Sequence, residues 1–292
     1  MRAGLKDTFK SLSLRKVFAI AQIRRSTHYS RLKSKPEQVR EANDQMLLAS
    51  FEQVRSEHLC WGFELIYAHL RYQKGQLFCK KRAHKLYKQA QLSLHKTPKK
   101  PRIKREYQEL LSPNQVNQGW ALDFVSDMVV NQTGGVAEGK ASEWIRVINV
   151  IDECSRKDLW VEAYKSIKAN KVVEILDNLL KMRGKPAYIR TDNGPEFISN
   201  ELKKWAEDNG IEQKFIQPGK PTQNGLIERL NGTLRRECLN LNWFTSLKEL
   251  NEYLENWYQS YNFERPHSSL GYLTPAQFEE KNASFYFNLV AA

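Results

Sequence analysis

Residues 119–130 read GWALDFVSDMVV, an apolar run of strand length with an acid near its centre. Val, Trp, Phe and Met fill half of the run, and β-branched and aromatic residues are enriched in strands. Leu122 and Phe124 flank the acid, Asp123. Because burying a carboxylate without a partner is costly, an acid in such a strand needs a reason to be there. We therefore take Asp123 as a candidate functional residue and build the fold outward from this strand.

Two further runs of strand composition follow, WIRVINVID at 144–152 and DLWVEAY at 158–164. Thr133-Gly134-Gly135 supplies turn residues between the first two runs. Short connections between three successive strands predict an antiparallel meander. Beyond it, helical and strand patterns alternate: a helix at 169–183 ended by Gly184, a strand at 187–192, a helix at 199–208 ended by Asn209-Gly210, a strand at 211–216 and a further helix. This order predicts an α/β fold with a mixed sheet flanked by helices.

Two more acids stand at informative places in these elements. Asp192 ends the fourth strand, in the turn TDNGPEF, where Asn193-Gly194 bends the chain and Pro195 delays the next helix. Glu228 lies on the helix TQNGLIERLNGTLRREC at 222–238, whose apolar stripe recurs every fourth residue. A polar stripe lies about 200° away on the helical wheel, and we expect it to be the presented face. The apolar stripe is Leu226, Leu230, Leu234 and Cys238; the polar stripe is Asn224, Glu228, Asn231 and Arg235.

Three carboxylates without His or Cys partners suit hard divalent cations. Mg²⁺ and Mn²⁺ take carboxylate oxygens and water, and a pair of such ions about 4 Å apart can assist phosphodiester displacement. Each acid also has an ordinary explanation: a capped strand Asp, a common DNG turn and an exposed Glu on an amphipathic helix. Only the joint pattern favours a metal site over these explanations.

Charge divides the chain into two unlike halves. The 292 residues carry a formal net charge of +13. Residues 1–117 contain 25 Lys and Arg against 9 Asp and Glu, whereas residues 118–292 contain 21 against 24. The first half is therefore at +16 and the second at −3. Such a basic segment usually meets a polyanion, most often nucleic acid, although dispersed Lys and Arg also serve solubility.

The basic half reads as helical. Residues 12–32 suit a small helix-turn-helix, whose second helix would present four basic side chains: Arg24, Arg25, His28 and Arg31. Three helical stretches follow over 37–92, and the last places Lys81, Lys85 and Lys88 on one face. That stripe fits a helix lying against phosphates and fits a solvated surface helix equally well. Residues 97–105, TPKKPRIKR, read as an extended cationic linker.

Composition excludes several classes of protein. At 41% hydrophobic and 11% aromatic residues the chain can bury a core, which argues against intrinsic disorder. No run of 18 apolar residues and no secretory signal pattern occurs, so we expect an intracellular soluble protein without a membrane segment. The four cysteines form no CxxC pair and predict reduced thiols rather than a zinc site or disulfides.

The motifs together strongly resemble the DDE catalytic core shared by retroviral integrases and bacterial insertion-sequence transposases. Asp192 and Glu228 are separated by 35 residues, and Arg235 follows seven positions after the Glu. The sequence segments that carry the resemblance are GWALDFVSD, NVIDECSR, RTDNGPEF, QPGKPTQNGLIERLNGTLRRE and YNFERPHSSLGYLTP. They look like the second-reading-frame subunit of a two-frame element.

This resemblance implies a ribonuclease-H-like core that cleaves DNA strands and joins a 3′-hydroxyl to a target phosphodiester. It implies that Asp123, Asp192 and Glu228 hold two Mg²⁺ or Mn²⁺ ions and that Arg235 contacts DNA near the transposon end. Asn193, Gln223, Asn224 and Asn231 lie where the family's core approaches DNA. The implied partners are the terminal inverted repeats and target DNA, a second copy on DNA, and an upstream-frame subunit or frameshift fusion. The implied location is the bacterial cytoplasm, at the nucleoid.

We expect five segments: a helix-turn-helix-like segment at 1–34, a basic helical DNA-binding domain at 35–96, a basic linker at 97–116, an integrase core with C-terminal helices at 117–280, and a tail at 281–292. Two other functions remain open: a DNA-binding protein that retains the fold without activity, and a nuclease acting on RNA–DNA hybrids.

The Arg265-Pro266-His267 turn is either structural or catalytic.

Overall fold

The computed structural model describes Arg24, Ser26 and residues 37–94, 113–130, 142–217 and 224–290. The chain divides into two compact units, residues 1–52 and 53–292. In the first, the described part is mainly the beginning of helix α1, Glu37–Glu57. Apart from Arg24 and Ser26, the predicted helix-turn-helix lies outside the described residues.

The second unit begins with a small helical region. Helix α2 spans Phe63–Ala68 and continues as a π-helical turn over His69–Gln73, and helix α3 spans Lys80–Gln89. Trp61, Ala83 and Tyr87 are buried in this region. With α1, these elements confirm the three helical stretches predicted over 37–92.

A five-stranded mixed sheet forms the centre of the second unit. Its strands are β1 Gly119–Val130, β2 Ser142–Asp152, β3 Asp158–Tyr164, β4 Tyr188–Thr191 and β5 Glu212–Phe215, in the order β3-β2-β1-β4-β5. The first three strands pair antiparallel, whereas β4 pairs parallel with both β1 and β5. This is the ribonuclease-H-like arrangement, so the predicted meander and the predicted mixed sheet are both confirmed.

Helices cover both faces of the sheet because the strands are apolar on both. Alternate residues of a strand point to opposite faces, and β1 sends Ala121, Val125 and Val129 into one buried cluster and Trp120 and Leu122 into the other. The first cluster contains residues of α6, Gly225–Glu237, and α7, Leu247–Gln259. The second contains residues of α4, Ala169–Arg183, and α5, Asn200–Asn209.

The predicted helix ends are confirmed where glycine permits the turn. Gly184 follows α4 with φ 77°, and Gly210 caps α5 in the left-handed region with φ 59°. Only glycine adopts such angles at little cost. After α7 come a π-helical turn at Ser260–Glu264, a short 3₁₀ turn at Ser268–Leu270 and helix α8, Pro275–Val290. Helix α8 continues through the boundary that we expected at residue 280.

The Arg265-Pro266-His267 turn has structural contacts. The Arg265 guanidinium pairs with Glu237 at the end of α6, with Nε 3.1 Å from Oε1. The His267 ring is buried edge-on against Tyr261, with centroids 4.9 Å apart. Burial, aided by the nearby Arg265 charge, lowers the pKa of His267 to about 3. These contacts favour the structural interpretation of the turn.

All four cysteines are free thiols. Among the described helices, none combines the length and apolar character that spanning a membrane requires.

Candidate active site

Asp123 lies at the middle of β1, directly opposite Asn149 of β2. Its carboxylate accepts two hydrogen bonds: Oδ1 from the backbone N–H of Phe124 at 2.8 Å, and Oδ2 from the Asn231 amide at 2.8 Å. Asn231 belongs to α6, so the side chain of Asp123 points to the face of the sheet that α6 covers. The Asp123 carboxylate thereby links β1 to α6.

The parallel pairing of β1 and β4 brings Asp192 to the position beside Asp123. Ala121 lies beside Arg190 in the register, and two residues further along each strand are Asp123 and Asp192. The turn after β4 is tight: Asp192 Oδ1 accepts the Gly194 N–H at 2.9 Å. A Cβ atom on residue 194 would lie only 2.9 Å from that oxygen, so a larger residue there would force the Asp192 side chain to move.

Glu228 completes the group from the first turn of α6. It is exposed, three residues before the Asn231 amide that contacts Asp123. The pKa of Asp123 is raised to about 6, mainly by burial and to a smaller extent by the like charges of Asp192 and Glu228, against the hydrogen bonds from Phe124 and Asn231 that lower it. Asp192 at the end of β4 and Glu228 of α6 therefore both lie within electrostatic reach of Asp123.

Oxygen ligands of this kind suit a hard divalent cation. The hydrogen bonds to Asp123 occupy one acceptor position on each oxygen and leave another on each. In the described ranges, however, no group of three or more His, Cys, Asp or Glu side chains is drawn together closely enough to hold a metal ion. The donor chemistry fits Mg²⁺ or Mn²⁺, while the Asp192 carboxylate turns toward its own loop.

Comparison with known proteins agrees with this geometry. Residues 113–221 and 209–275 match the integrase core domain family. An insertion element IS407 protein from Burkholderia multivorans is 34% identical over 239 residues, covering 82% of each chain. The chain belongs to the insertion-sequence transposases with an integrase core. An insertion element IS476 protein from Xanthomonas euvesicatoria is 37% identical and covers 80% of this chain, a match that spans 64% of the relative's length. The transposase InsD of insertion element IS2 from Escherichia coli is 26% identical over 84% of this chain and 81% of its own.

Solved retroviral structures are also similar to this transposase. The HTLV-2 integrase catalytic core domain in complex with magnesium is 20% identical, with a TM-score of 0.40, and the match covers 57% of this chain and 98% of that one. A simian T-cell lymphotropic virus intasome is 19% identical, with a TM-score of 0.45, covering 79% and 74%.

The polar stripe predicted on α6 of the transposase is partly wrong. Glu228 and Arg235 are exposed, but Asn224 and Asn231 are buried, with 4% and 8% of their surface exposed. For Asn231 the reason lies on the sheet, where Asp123 and Asn149 provide polar groups against which the helix buries this amide. The helical wheel alone contains no information about that opposing surface.

The other predicted DNA contacts differ in their surroundings. Arg235 is exposed and donates from Nη2 to the Ser126 carbonyl at 2.9 Å. Asn193 is exposed and donates to the Ile216 carbonyl at 3.1 Å. On α3, Lys81, Lys85 and Lys88 are all exposed, opposite buried Ala83 and Tyr87. Arg24 is exposed, whereas Gln223 and Arg25 lie outside the described residues. Their contact with DNA stays a prediction.

The sequence did not predict two features of the transposase site. Asn149 is completely buried beside Asp123, although a polar residue inside WIRVINVID gave the same signal as Asp123 in its strand. Glu196, in the loop of Asp192, pairs with Arg146 of β2, and the Arg146 guanidinium lies 4.1 Å from the centroid of the Phe124 ring. This pair ties the Asp192 loop to the sheet.

Proposed function

We propose that this transposase cleaves DNA strands at the ends of an insertion sequence and joins the resulting 3′-hydroxyl to target DNA, using Asp123, Asp192 and Glu228. One observation carries the proposal: Asp192 and Glu228 come from separate elements, yet both act on the pKa of Asp123. Strand register and helix packing, rather than chain proximity, therefore bring Asp192 and Glu228 within electrostatic reach of Asp123. Arrangements of this kind concentrate at functional sites.

In this proposal the three carboxylates hold two Mg²⁺ or Mn²⁺ ions. Such ions activate the attacking oxygen and stabilise the leaving oxygen of a phosphodiester displacement. The residues of the chain orient the site. The Phe124 N–H and the Asn231 amide fix the plane of the Asp123 carboxylate, and the Gly194 turn holds Asp192 at the end of β4.

The protein surface supplies contacts to DNA on either side of these acids. Arg235 is exposed two helical turns after Glu228 on α6, where it suits a phosphate of the transposon end. The exposed Lys81, Lys85 and Lys88 suit duplex phosphates further away. A second copy of the chain on DNA, and an upstream-frame partner or fusion, belong to the same proposal, as does action at the bacterial nucleoid.

The test is strand transfer by purified protein on duplexes carrying the element's terminal repeats, with Mg²⁺ or Mn²⁺ as the only divalent cation. We expect joined products from the wild type, and a loss of about a thousandfold or more for Asp192→Asn and Glu228→Gln. Asp208→Asn and Glu207→Gln on α5 are matched controls, because both acids are exposed and lie on a helix of the opposite face. Normal strand transfer by either site variant would refute the assignment of the acids.

A further inference from the structure

A pair of asparagines lies directly beneath the candidate active site. Asn149 of β2 faces Asp123 across the strand pair, and Asn231 of α6 contacts both residues. Asn149 has no exposed surface and Asn231 has 8%. The residues on either side of them along the strand and the helix, Val147, Ile151, Leu230 and Leu234, belong to the buried apolar cluster. Polar side chains are rarely kept in such surroundings unless their hydrogen bonds have a purpose.

The hydrogen bonds of this pair run in one direction. Asn149 Nδ2 donates to Asn231 Oδ1 at 2.6 Å, and Asn231 Nδ2 donates to Asp123 Oδ2 at 2.8 Å. An asparagine amide has a donor side and an acceptor side that exchange when it turns over. The carboxylate only accepts hydrogen bonds, so the donor side of Asn231 faces it, and the Asn149 donor on the acceptor side of Asn231 supports the same orientation.

We infer that Asn231 is a positioning residue that holds the Asp123 carboxylate in its metal-binding orientation, and that Asn149 sets the direction of the Asn231 amide. This inference rests on the proposed use of Asp123 as a metal ligand. It replaces the prediction that Asn231 contacts DNA, since a buried amide whose oxygen and nitrogen are both engaged has little left for a phosphate or a base.

The arrangement leaves the carboxylate suited to a cation. Oδ1 accepts from the Phe124 N–H and Oδ2 accepts from Asn231, so rotation about the carboxylate bond would break both hydrogen bonds. One acceptor position stays available on each oxygen. A donor at Oδ2 also favours the charged form that a cation needs, whereas an acceptor there would oppose it. Partners of metal ligands typically change metal affinity or activity by about 10- to 100-fold when they are removed.

The discriminating substitutions are Asn231→Asp and Asn231→Ala. The Asp variant keeps the shape of the side chain but places an acceptor and a negative charge against Asp123, so we expect it to be the more damaging of the two. For Asn231→Ala we expect the strand-transfer rate at saturating DNA to fall about 10- to 100-fold and the Mg²⁺ concentration for half-maximal rate to rise. The dissociation constant for end DNA, measured in Ca²⁺ or EDTA, should change less than about twofold. Asn256→Ala, on the exposed side of α7, is the matched control.

Asn149 supplies the second arm of the test. We expect Asn149→Ala to show a smaller loss of the same kind, and the double variant Asn149→Ala with Asn231→Ala to be no worse than Asn231→Ala alone, because Asn149 acts through Asn231. Thermal unfolding of every variant identifies the temperature at which each is folded, and the rates are compared there. The Mg²⁺ dependence of the rate separates a positioning role from a general loss of stability.

The outcomes separate this inference from the proposed function. Asn231 variants with an unchanged Mg²⁺ requirement but weakened DNA binding would overturn the positioning role and restore the DNA-contact interpretation. Strictly additive losses at Asn149 and Asn231 would overturn the directional arrangement. If Asp123→Asn itself supports normal strand transfer, the proposed function fails, whatever the asparagine variants do.

Discussion

Two groups of three acids in the transposase core differ in what surrounds them. The proposed catalytic acids are Asp123, Asp192 and Glu228, and the partnered acids are Asp152, Glu153 and Glu279. Within the described part of the chain, no Lys, Arg or His forms an ion pair with a catalytic acid. Two of the partnered acids are each paired with Lys or Arg, and the third is held by several hydrogen bonds.

The partnered acids connect separate parts of the fold. Glu153 binds Arg190, with Nε 2.8 Å from Oε1, and accepts a hydrogen bond from the Tyr188 hydroxyl at 2.5 Å. Glu279 of α8 binds Lys157 at 2.7 Å and Arg183 at 2.5 Å. These pairs join the turn after β2 to β4, and α8 to α4 and to the residue before β3.

Among the described residues Asp152 has no basic partner, but hydrogen bonds satisfy its buried carboxylate. It accepts N–H groups from Asn117, Cys154 and Ser155 at 2.6, 3.0 and 2.7 Å, and the Ser155 hydroxyl at 3.0 Å. The partnered acids have their charge satisfied within the fold, by basic groups or by four hydrogen bonds. The proposed catalytic acids have fewer hydrogen bonds and no ion pair among the described residues, which makes them the acids suited to a cation.

Two substitutions with opposite expected effects on activity and stability test the difference between the two groups of acids most strongly. Asp123→Asn should lower the strand-transfer rate at least about a thousandfold. Its free energy of unfolding should stay the same or rise by about 1 kcal/mol, because one of three mutually repelling charges is removed. Glu153→Gln should do the reverse, destabilising the fold while a folded sample at low temperature still transfers strands. Chemical denaturation and strand transfer on the same samples measure both quantities, and a destabilised Asp123→Asn would break the comparison.

The Glu279 pairs give the next largest expected effect. Glu279→Gln leaves two basic groups, Lys157 and Arg183, facing a neutral amide. Breaking a partly buried ion pair from one side costs about 1 to 3 kcal/mol, between the values for exposed and fully buried pairs. We expect the urea midpoint to fall with little change in the denaturant slope. The exposed Glu280→Gln in the same helix is the control. Equal midpoints for both variants would mean that α8 is not held by this acid.

Acid should weaken the fold through the buried His267. Its folded pKa of about 3 lies below the unfolded value of 6.5, so the unfolded chain binds the proton more tightly. Stability is therefore complete above pH 6.5 and falls by about 1.4 kcal/mol per pH unit below it. His58 and His69, whose pKa values burial also lowers, contribute in the same direction.

His267→Gln should accordingly flatten the loss of stability between pH 6.5 and 5 without abolishing it. Denaturation curves at several pH values measure this. An unchanged pH profile would show that His267 does not titrate on unfolding.

The smallest expected effect concerns the basic surface of α3. Replacing Lys81, Lys85 and Lys88 by Ala should weaken DNA binding and lower the slope of log affinity against log salt by up to about three units, one per lost phosphate contact. The exposed Lys181, Lys203 and Lys204 on α4 and α5 serve as a matched triple control. Equal slopes for the two triple variants would mean that the α3 stripe is only a solvated surface.

Strand composition and helix period predicted the order of the core elements, because both depend on local pattern. The three acids were proposed from their joint pattern and from the family resemblance. Local sequence pattern does not give strand register, such as the parallel pairing of Ala121 with Arg190. The resemblance placed Asp192 in the site, but only the register explains how it comes beside Asp123.

The sequence predicted neither the contacts of the partnered acids nor the asparagine pair, and the reason is the same: both depend on contacts between distant parts of the chain. Glu279 meets Arg183 across 96 residues, and Asn231 meets Asp123 across 108. A helical wheel divides positions into apolar and polar, and it assigned Asn231 to the exposed face. The polar surface that receives this amide belongs to β1 and β2, which the wheel of α6 does not contain.

The most direct test of the central claim is anomalous diffraction from crystals of the transposase soaked in Mn²⁺. We predict anomalous peaks within about 2.3 Å of carboxylate oxygens of Asp123 and Asp192, with at least one peak also within reach of Glu228. The Asp123→Asn protein should lose them. Manganese bound elsewhere, or retained by Asp123→Asn, would contradict the account.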